Sequence, residues 1–172
     1  MFAQKWAILI ALSFSTCAAQ TAIDKPPEPE SIGVFFYLDS ATQTLKQLPT
    51  EEFKKHRGGT FSVSSSVEVS GPASPFRLAA NEKTTFVFKV FKDEEAGKAR
   101  LFQFTIKGGE REYGLGKQKG RDYVPNPGLS ISVAKFGESS YKLTPGVPLA
   151  PGEYALTMGP QVFTFGVSAS GK

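Results

Sequence analysis

The sequence TFSVSSSVEVS, residues 60–70, alternates apolar and polar side chains more clearly than the rest of the chain. Its apolar members are Phe61, Val63, Val67 and Val69, and the polar members that alternate with them are Ser62, Ser64, Ser66, Glu68 and Ser70. Because successive side chains of a strand point to opposite faces of a sheet, the pattern predicts a strand with one buried face and one solvated face.

Other segments on both sides of this stretch are also predicted to be strands, some alternating and one, residues 32–38, apolar on both faces. They cover residues 32–38, 44–48, 86–91, 102–107, 110–115, 129–134, 153–158 and 161–167. The 17 Gly and 12 Pro residues suit tight turns between such strands. About ten strands at short intervals favour a sandwich or barrel over any βαβ fold. We therefore predict an all-β fold, an antiparallel β-sandwich, with strand order and barrel closure left open.

One short helix is predicted at residues 50–58. Thr50 is a suitable N-cap, Glu51 and Glu52 carry the charge favoured in a first turn, and Gly58 can end the helix. Residues 93–98 are expected to form a charged turn instead, because three acidic residues lead directly into Ala, Gly and Lys.

The segment 116–128 is rich in Lys, Gly and Pro and is predicted to be a polar loop. Lys117, Lys119 and Arg121 lie within five positions of one another, next to flexible glycines, so they can converge on an anion. They are the candidate anion-binding residues of the sequence. The alternative is a loop whose charges only keep the protein soluble.

Residues 1–19 have the composition of a secretory signal peptide. Lys5 supplies a short positive region, and residues 6–14, WAILIALSF, form an apolar run too short to span a bilayer. Small residues then lead to Ala19. A buried N-terminal helix is the alternative, but the Pro-rich segment 20–31 that follows favours an extended leader.

Cys17 is the one cysteine of the chain, and cleavage after Ala19 would remove it. The mature chain would then have no disulfide and no thiolate nucleophile. Lipid attachment through Cys17 stays open, although Phe14 and Thr16 depart from the lipoprotein pattern Leu-Ala-Gly-Cys. The predicted organisation is a signal peptide (1–19), a Pro-rich leader (20–31), one β-sandwich domain (32–168) and a C-terminal tail (169–172). It implies export to the periplasm or extracellular space, with no transmembrane segment in the mature chain.

Side chains suited to catalysis or metal binding are scarce. His56 is the one histidine, and its neighbours Lys54, Lys55 and Arg57 include no carboxylate to orient the imidazole. Zinc, copper and haem sites need more His or Cys ligands than the chain has. No nucleophile elbow, calcium loop or nucleotide motif is present. We expect no catalytic, cofactor or metal site, and we expect His56 to be solvated; a carboxylate pair for glycoside hydrolysis stays open.

Residues 149–156, LAPGEYAL, resemble the corner before the second-last strand of immunoglobulin-like and fibronectin-type domains. In that motif a Gly-x-Tyr precedes the strand and the tyrosine hydroxyl bonds back to the turn. The resemblance implies a structural corner at Gly152 and Tyr154, with a backbone partner near Leu149. Leu156 stands where antibody-type domains have their second cysteine, so the resemblance covers the corner and the immunoglobulin-like architecture only.

A second resemblance concerns function. Residues 33–39, 135–141, 151–154 and 163–167 look like segments of uncharacterised secreted bacterial β-sandwich proteins, a group with no assigned activity. The net charge of +4 is a mild basic excess that does not imply nucleic acid. We predict a non-catalytic module that binds a protein partner in the periplasm or cell envelope. The alternative is a carbohydrate-binding module, and a small hydrolase is a distant third.

The exported protein is expected to begin near Gln20, because cleavage after Ala19 places Cys17 and Ala19 at the two small-residue positions of a signal-peptide site. Mass spectrometry of the protein from the envelope or medium measures this terminus. A chain that keeps Met1 in the cytoplasm would contradict export, and a lipid on Cys17 would establish the alternative.

Overall fold

The structure is a computed structural model that describes residues 26–58, 64–80 and 83–169. These residues form fourteen strands and one 3₁₀ helix, Asp93–Lys98, so the fold is all-β. The strands are β1 (Phe35–Asp39), β2 (Thr44–Gln47), β3 (Phe53–Gly58), β4 (Ser64–Val69), β5 (Arg77–Ala79), β6 (Phe86–Lys89), β7 (Arg100–Gln103), β8 (Thr105–Lys107), β9 (Glu110–Lys119), β10 (Asp122–Pro125), β11 (Ile131–Lys135), β12 (Ser140–Pro145), β13 (Gly152–Thr157) and β14 (Val162–Ser168). The signal peptide predicted for residues 1–19 lies outside the described residues.

The strands form three sheets. Sheet 1 has the order β11-β12-β6-β1-β2, and sheet 2 has the order β5-β14-β13-β7. Sheet 3 has the order β10-β9-β4-β3, and β8 also pairs with β9. Neighbouring strands are antiparallel except for β5 and β14, which are parallel. None of the described helical structure is long and apolar enough to cross a bilayer.

The main core lies between sheets 1 and 2 and is built of phenylalanine rings. Phe35 and Phe86 of sheet 1 and Phe163 and Phe165 of sheet 2 are all fully buried. The Phe35 and Phe163 ring centroids are 5.4 Å apart, and those of Phe86 and Phe165 are 4.8 Å apart. Two sheets packed face to face in this way make the β-sandwich that the sequence predicts.

Sheet 3 covers the second face of sheet 2. Phe102 and Ala155 of sheet 2 form a second core with Val67, Val69 and Tyr113 of sheet 3. The Phe102 and Tyr113 rings are stacked with centroids 4.5 Å apart. Sheet 2 is therefore the middle layer of three, which explains why every residue of the run 162–167 is buried. The immunoglobulin-like type of sandwich stays a prediction.

The alternation that opened the sequence analysis is confirmed for residues 64–69. Val67 and Val69 are 1% and 0% exposed, whereas Ser66 and Glu68 are partly exposed on the other face of β4. Residues 60–63 of the same stretch lie outside the described residues.

The helix predicted over residues 50–58 is wrong, because residues 53–58 form strand β3 at the edge of sheet 3. β3 pairs with β4 from Phe53 opposite Val69 to Gly58 opposite Ser64. An isolated two-turn helix is marginal, whereas the strand pairs its backbone and packs Phe53 against the second core. The lysines that suit the last turn of a helix are also common on exposed edge strands.

The one short helix lies instead at residues 93–98, where the sequence predicted a charged turn. Its first turn carries Asp93, Glu94 and Glu95 and its last turn carries Lys98, which matches the helix dipole. Ala96 is 3% exposed and attaches the helix to the main core.

The polar loop predicted over residues 116–128 is wrong for residues 116–125. Strand β9 continues to Lys119, and β10 returns beside it as a hairpin. Gly120, with φ of 64°, supplies the left-handed conformation that the turn needs. Pairing with β4 up to Lys117 supports a sequence of Gly and Lys that is a weak strand former alone.

The end of the predicted leader packs on the domain. Pro29 is buried, and a Glu28 carboxylate oxygen accepts a hydrogen bond from the Glu138 backbone N–H. A Cβ at Gly137 would overlap this carboxylate, so a larger residue there would require the Glu28 side chain to move.

The corner at Gly152 and Tyr154 brings the tyrosine into the main core. Tyr154 is 2% exposed, and its hydroxyl donates a 2.7 Å hydrogen bond to the Ala150 carbonyl, one residue beyond the predicted Leu149. Its ring is stacked on Phe165 with centroids 5.4 Å apart. Burial raises the pKa of the Tyr154 phenol, so it remains a hydrogen-bond donor over a wide pH range.

Substitutions at Tyr154 should separate the hydrogen bond from the ring. Tyr154→Phe loses only the bond to Ala150 and should cost about 1 to 1.5 kcal/mol, whereas Tyr154→Ala also opens a cavity and should cost about 3 to 5 kcal/mol. Tyr123→Phe is the matched control, because Tyr123 is 52% exposed and its substitution should change stability by less than about 0.5 kcal/mol. Denaturant melts measure all three, and equal costs for the two Phe variants would contradict the corner.

A candidate binding groove on sheet 3

Strand β9 has a buried face and a solvated face, and the candidate site is built on it. Arg111 and Tyr113 point into the second core, while Glu112 and Gly114 lie on the outer face. The register with β4 shifts between Ser65 and Ser66, which leaves one extra residue in β9. Such a bulge twists a strand locally and is common beside functional sites.

Arg111 is fully buried beneath this outer face. Its guanidinium donates to both carboxylate oxygens of Glu51, at 2.9 and 2.6 Å. It also donates to the carbonyls of Ser70 and Gly71, at 2.8 and 2.9 Å. Its charge lies 5.5 Å from the centroid of the Phe104 ring. A buried guanidinium is tolerated only when it is paired and hydrogen-bonded in this way.

The polar contacts continue from Glu51 into sheet 2. The Thr164 hydroxyl donates to Glu51 and also lies 2.9 Å from the Ser74 hydroxyl. The Ser74 backbone N–H donates a 2.7 Å hydrogen bond to Glu153, which in turn pairs with Arg77. We call this chain of contacts from Arg111 to Arg77 the buried network.

Gly166 makes the last pair of the buried network possible. It lies on β14 between Glu153 of β13 and Arg77 of β5, in register with both. The ion pair therefore spans the middle strand directly above the glycine. A Cβ at position 166 would overlap the Arg77 guanidinium.

The electrostatics of Glu51 favour the ionised form of its carboxyl. Burial raises the pKa of its carboxyl, but hydrogen bonds from Arg111 and Thr164, together with the Arg111 charge, lower it more. The pKa of Glu51 is therefore below its ordinary value, so the pair is ionised at neutral pH. Its carboxylate oxygens are already occupied by donors, which leaves it unsuited to proton transfer.

An open groove of about 530 Å³ lies on the outer face of sheet 3. Strands β4 and β9 contribute Ser64, Ser66, Gly114 and Gly116, and the β8 side contributes Thr105 and Lys107. The other wall comes from β10 and the residues after it, with Val124, Pro125, Asn126 and Pro127. The groove exists because its central positions carry small side chains or none.

Strand pairing explains where the groove lies. β8 pairs with residues 110–112 of β9 and β10 pairs with residues 116–119, along the same edge. Between them Asn126 closes the gap, because its backbone N–H and its side-chain amide donate to the carbonyls of Leu115 and Gly114 at 2.7 and 2.8 Å.

Glu112 is the one carboxylate that lines the groove, and Lys107 holds it ionised. The Lys107 ammonium donates to it at 2.8 Å. This bond, with a smaller contribution from Ser66, lowers the pKa of Glu112 below its usual value although partial desolvation opposes it. The groove therefore offers hydroxyls and an ion pair, which suit binding by hydrogen bonds.

The structure changes the surroundings expected for His56. Its imidazole Nε2 lies 3.5 Å from a Glu68 carboxylate oxygen, so the expectation that no carboxylate is near was wrong. The sequence neighbours of His56 are basic, but antiparallel pairing places Ser66 opposite it and Glu68 two residues further along β4. His56 is half exposed, and we find no groove-lining role for it.

The predicted anion-binding residues lie on the β9–β10 hairpin. Lys117 and Lys119 occupy alternate positions of β9 and so share one face, while Arg121 follows in the turn. All three are exposed. Lys117 lines the groove. Ser64 and Ser66 also line it but were not predicted as site residues, because their alternation with apolar residues in β4 indicated only a solvated face.

A metal site would need a group of side chains that could hold the ion. Within residues 26–58, 64–80 and 83–169, no group of three or more His, Cys, Asp or Glu side chains is placed to hold a metal ion. Comparisons with protein-family models, with curated proteins and with solved structures found no significant match. Function is therefore inferred from the geometry of the groove.

Glu51→Gln should show how much the buried network contributes to the free energy of unfolding. Because the pKa of Glu51 is lower in the folded state, its charge stabilises the fold above about pH 4.5, and this stabilisation is lost as the pH falls through the folded-state pKa. The variant leaves the Arg111 charge unpaired and should cost about 3 kcal/mol at pH 7.

The difference in unfolding free energy between Glu51→Gln and the unchanged chain should shrink as the pH falls from 7 to about 3. The exposed Glu94→Gln is the control and should stay within about 0.5 kcal/mol. A difference that is the same at both pH values would contradict the ionised pair.

Proposed function

We propose that the chain is an exported, non-catalytic module that binds a protein partner in the periplasm or cell envelope through the groove on sheet 3. The observation that carries this proposal is the groove itself. It is open, it is backed by a strand fixed from beneath by the buried Arg111, and its central positions are small.

The chemistry of the lining supports binding rather than catalysis. Glu112 is the one carboxylate among the residues that line the groove, and Lys107 keeps it ionised, so it is a poor general acid. Glycoside hydrolysis uses a pair of carboxylates, of which one must hold a proton. The Asn126 amide is occupied by its hydrogen bond to Gly114.

A protein partner fits the lining better than a sugar does. Sugar sites commonly stack rings on exposed aromatic side chains, and none of the lining residues is aromatic. Three of the five tyrosines, Tyr37, Tyr113 and Tyr154, are buried. Hydroxyls beside Val124 and Pro125 suit a peptide, which presents backbone amides and apolar side chains together.

Filling the groove tests this function. Ser66→Trp places a large ring on the outer face of β4, and Ser132→Trp makes the same change at an exposed position of β11 on sheet 1. The full chain, tagged at its C-terminus, is used to capture partners from envelope extract, and the captured material is identified by mass spectrometry and glycan analysis. Thermal melts verify that both variants fold.

The unchanged chain and Ser132→Trp should capture the same protein, and Ser66→Trp should capture at least about tenfold less, as loss of a central contact does. Equal capture by both variants would remove the groove from the function. Captured glycan in place of protein would establish the carbohydrate-binding alternative.

A further inference from the structure

The end of sheet 3 beyond the groove carries the candidate anion-binding residues. Gly58 of β3, Ser64 of β4, Lys117 of β9 and Val124 of β10 stand in one row across the sheet. Arg57 of β3 is opposite Ser65, so it faces the other side of the sheet from Ser64 and Ser66 of the groove. The cations on the groove side of this end are therefore those of the β9–β10 hairpin.

Three cations are exposed on the hairpin at this end of the sheet, and we call them the basic end: Lys117, Lys119 and Arg121. None of the three forms an ion pair with a described residue. Within residues 116–125 of the hairpin, Asp122, opposite Lys119, is the one acidic residue. The segment that joins β3 to β4, residues 59–63, has the sequence GTFSV and carries no charge.

The acidic residues of the neighbouring rows are already engaged. Glu68 lies beside His56 and Glu112 is bonded to Lys107. The charges of sheet 3 are therefore segregated, with ion pairs along one side of the groove and, at the end, cations that outnumber the one carboxylate, Asp122. Several like charges on one surface raise the local potential and attract an oppositely charged partner.

Lys117 belongs to both the groove and the basic end. A chain that occupies the groove and continues past Lys117 therefore meets Lys119 and Arg121. We infer that the partner is recognised through an extended acidic peptide segment, whose Asp and Glu side chains face the basic end while its neighbouring residues fill the groove. This inference rests on the proposed function and adds the chemistry of the partner.

The exposure of the three cations determines how this recognition depends on salt. Each exposed charge pair contributes little and is screened by salt, so the contribution comes from several charges acting together. Electrostatic complementarity of this kind mainly speeds association and selects among partners. The acidic segment is accordingly expected to bind more weakly as the salt concentration rises.

Binding of an acidic segment is measured by the fluorescence anisotropy of a labelled peptide of ten glutamates, titrated with the full chain. The test variant is Lys117→Gln, Lys119→Gln and Arg121→Gln together. The control variant, Lys83→Gln, Lys92→Gln and Lys98→Gln, removes three exposed positive charges elsewhere on the surface. Both variants change the net charge equally, so their comparison separates the effect on binding of where the charges lie from the effect of the net charge. Alginate, an anionic polysaccharide, and a peptide of ten serines complete the set.

At about 50 mM salt the unchanged chain and the control variant should bind the glutamate peptide, and the test variant should bind it at least about tenfold more weakly. The serine peptide should not bind. Equal weakening in both variants would show an effect of net charge alone and overturn the inference. Binding of alginate without binding of the glutamate peptide would also overturn it, in favour of a polysaccharide.

The capture experiment distinguishes this inference from the proposed function. If Ser66→Trp loses the captured protein while the test variant keeps it, the groove is functional and the acidic segment is refuted. If both lose it and the control variant keeps it, both conclusions are supported. If neither loses it, both fail.

Discussion

The Arg111 guanidinium is a fully buried charge, and the position of sheet 3 depends on how it is satisfied. Leaving such a group unpaired inside a protein costs several kcal/mol, so the chain must supply its partners. Glu51 supplies two acceptors and the Ser70–Gly71 turn supplies two more. These partners come from two separate connecting segments, which are thereby drawn onto the inner face of β9.

The groove depends on this arrangement because β9 forms part of it. Arg111 and Tyr113 hold the strand from within, while Gly114 leaves the opposite face free. A site of this kind needs a rigid support and an open surface on the same strand. The polar contacts on the inner face and the small residues on the outer face provide these two properties within a few residues.

The local alternation of apolar and polar residues predicted the strands that have one buried and one exposed face. An example is β4, where Val67 and Val69 are buried and Ser66 is partly exposed. Local pattern failed at β3, because the charges of residues 51–57 suit a helix dipole and an edge strand equally, and only the partner strand β4 decides between them. It could not find the groove, which arises where β8 and β10 stop along the same edge of β9. Pairing between distant segments determines that gap, and periodicity within one segment carries no information about it.

Gly166 shows how the residues at three positions on separate strands can depend on one another. A larger residue there would overlap the Arg77 guanidinium, so the side chain would have to move, and its ion pair with Glu153, which is 8% exposed, would be disturbed. Loss of the arginine would in turn remove the need for the glycine. Related sequences should therefore vary at positions 77, 153 and 166 together. Such covariation would indicate that β5, β14 and β13 are neighbours in the middle sheet of those proteins as well.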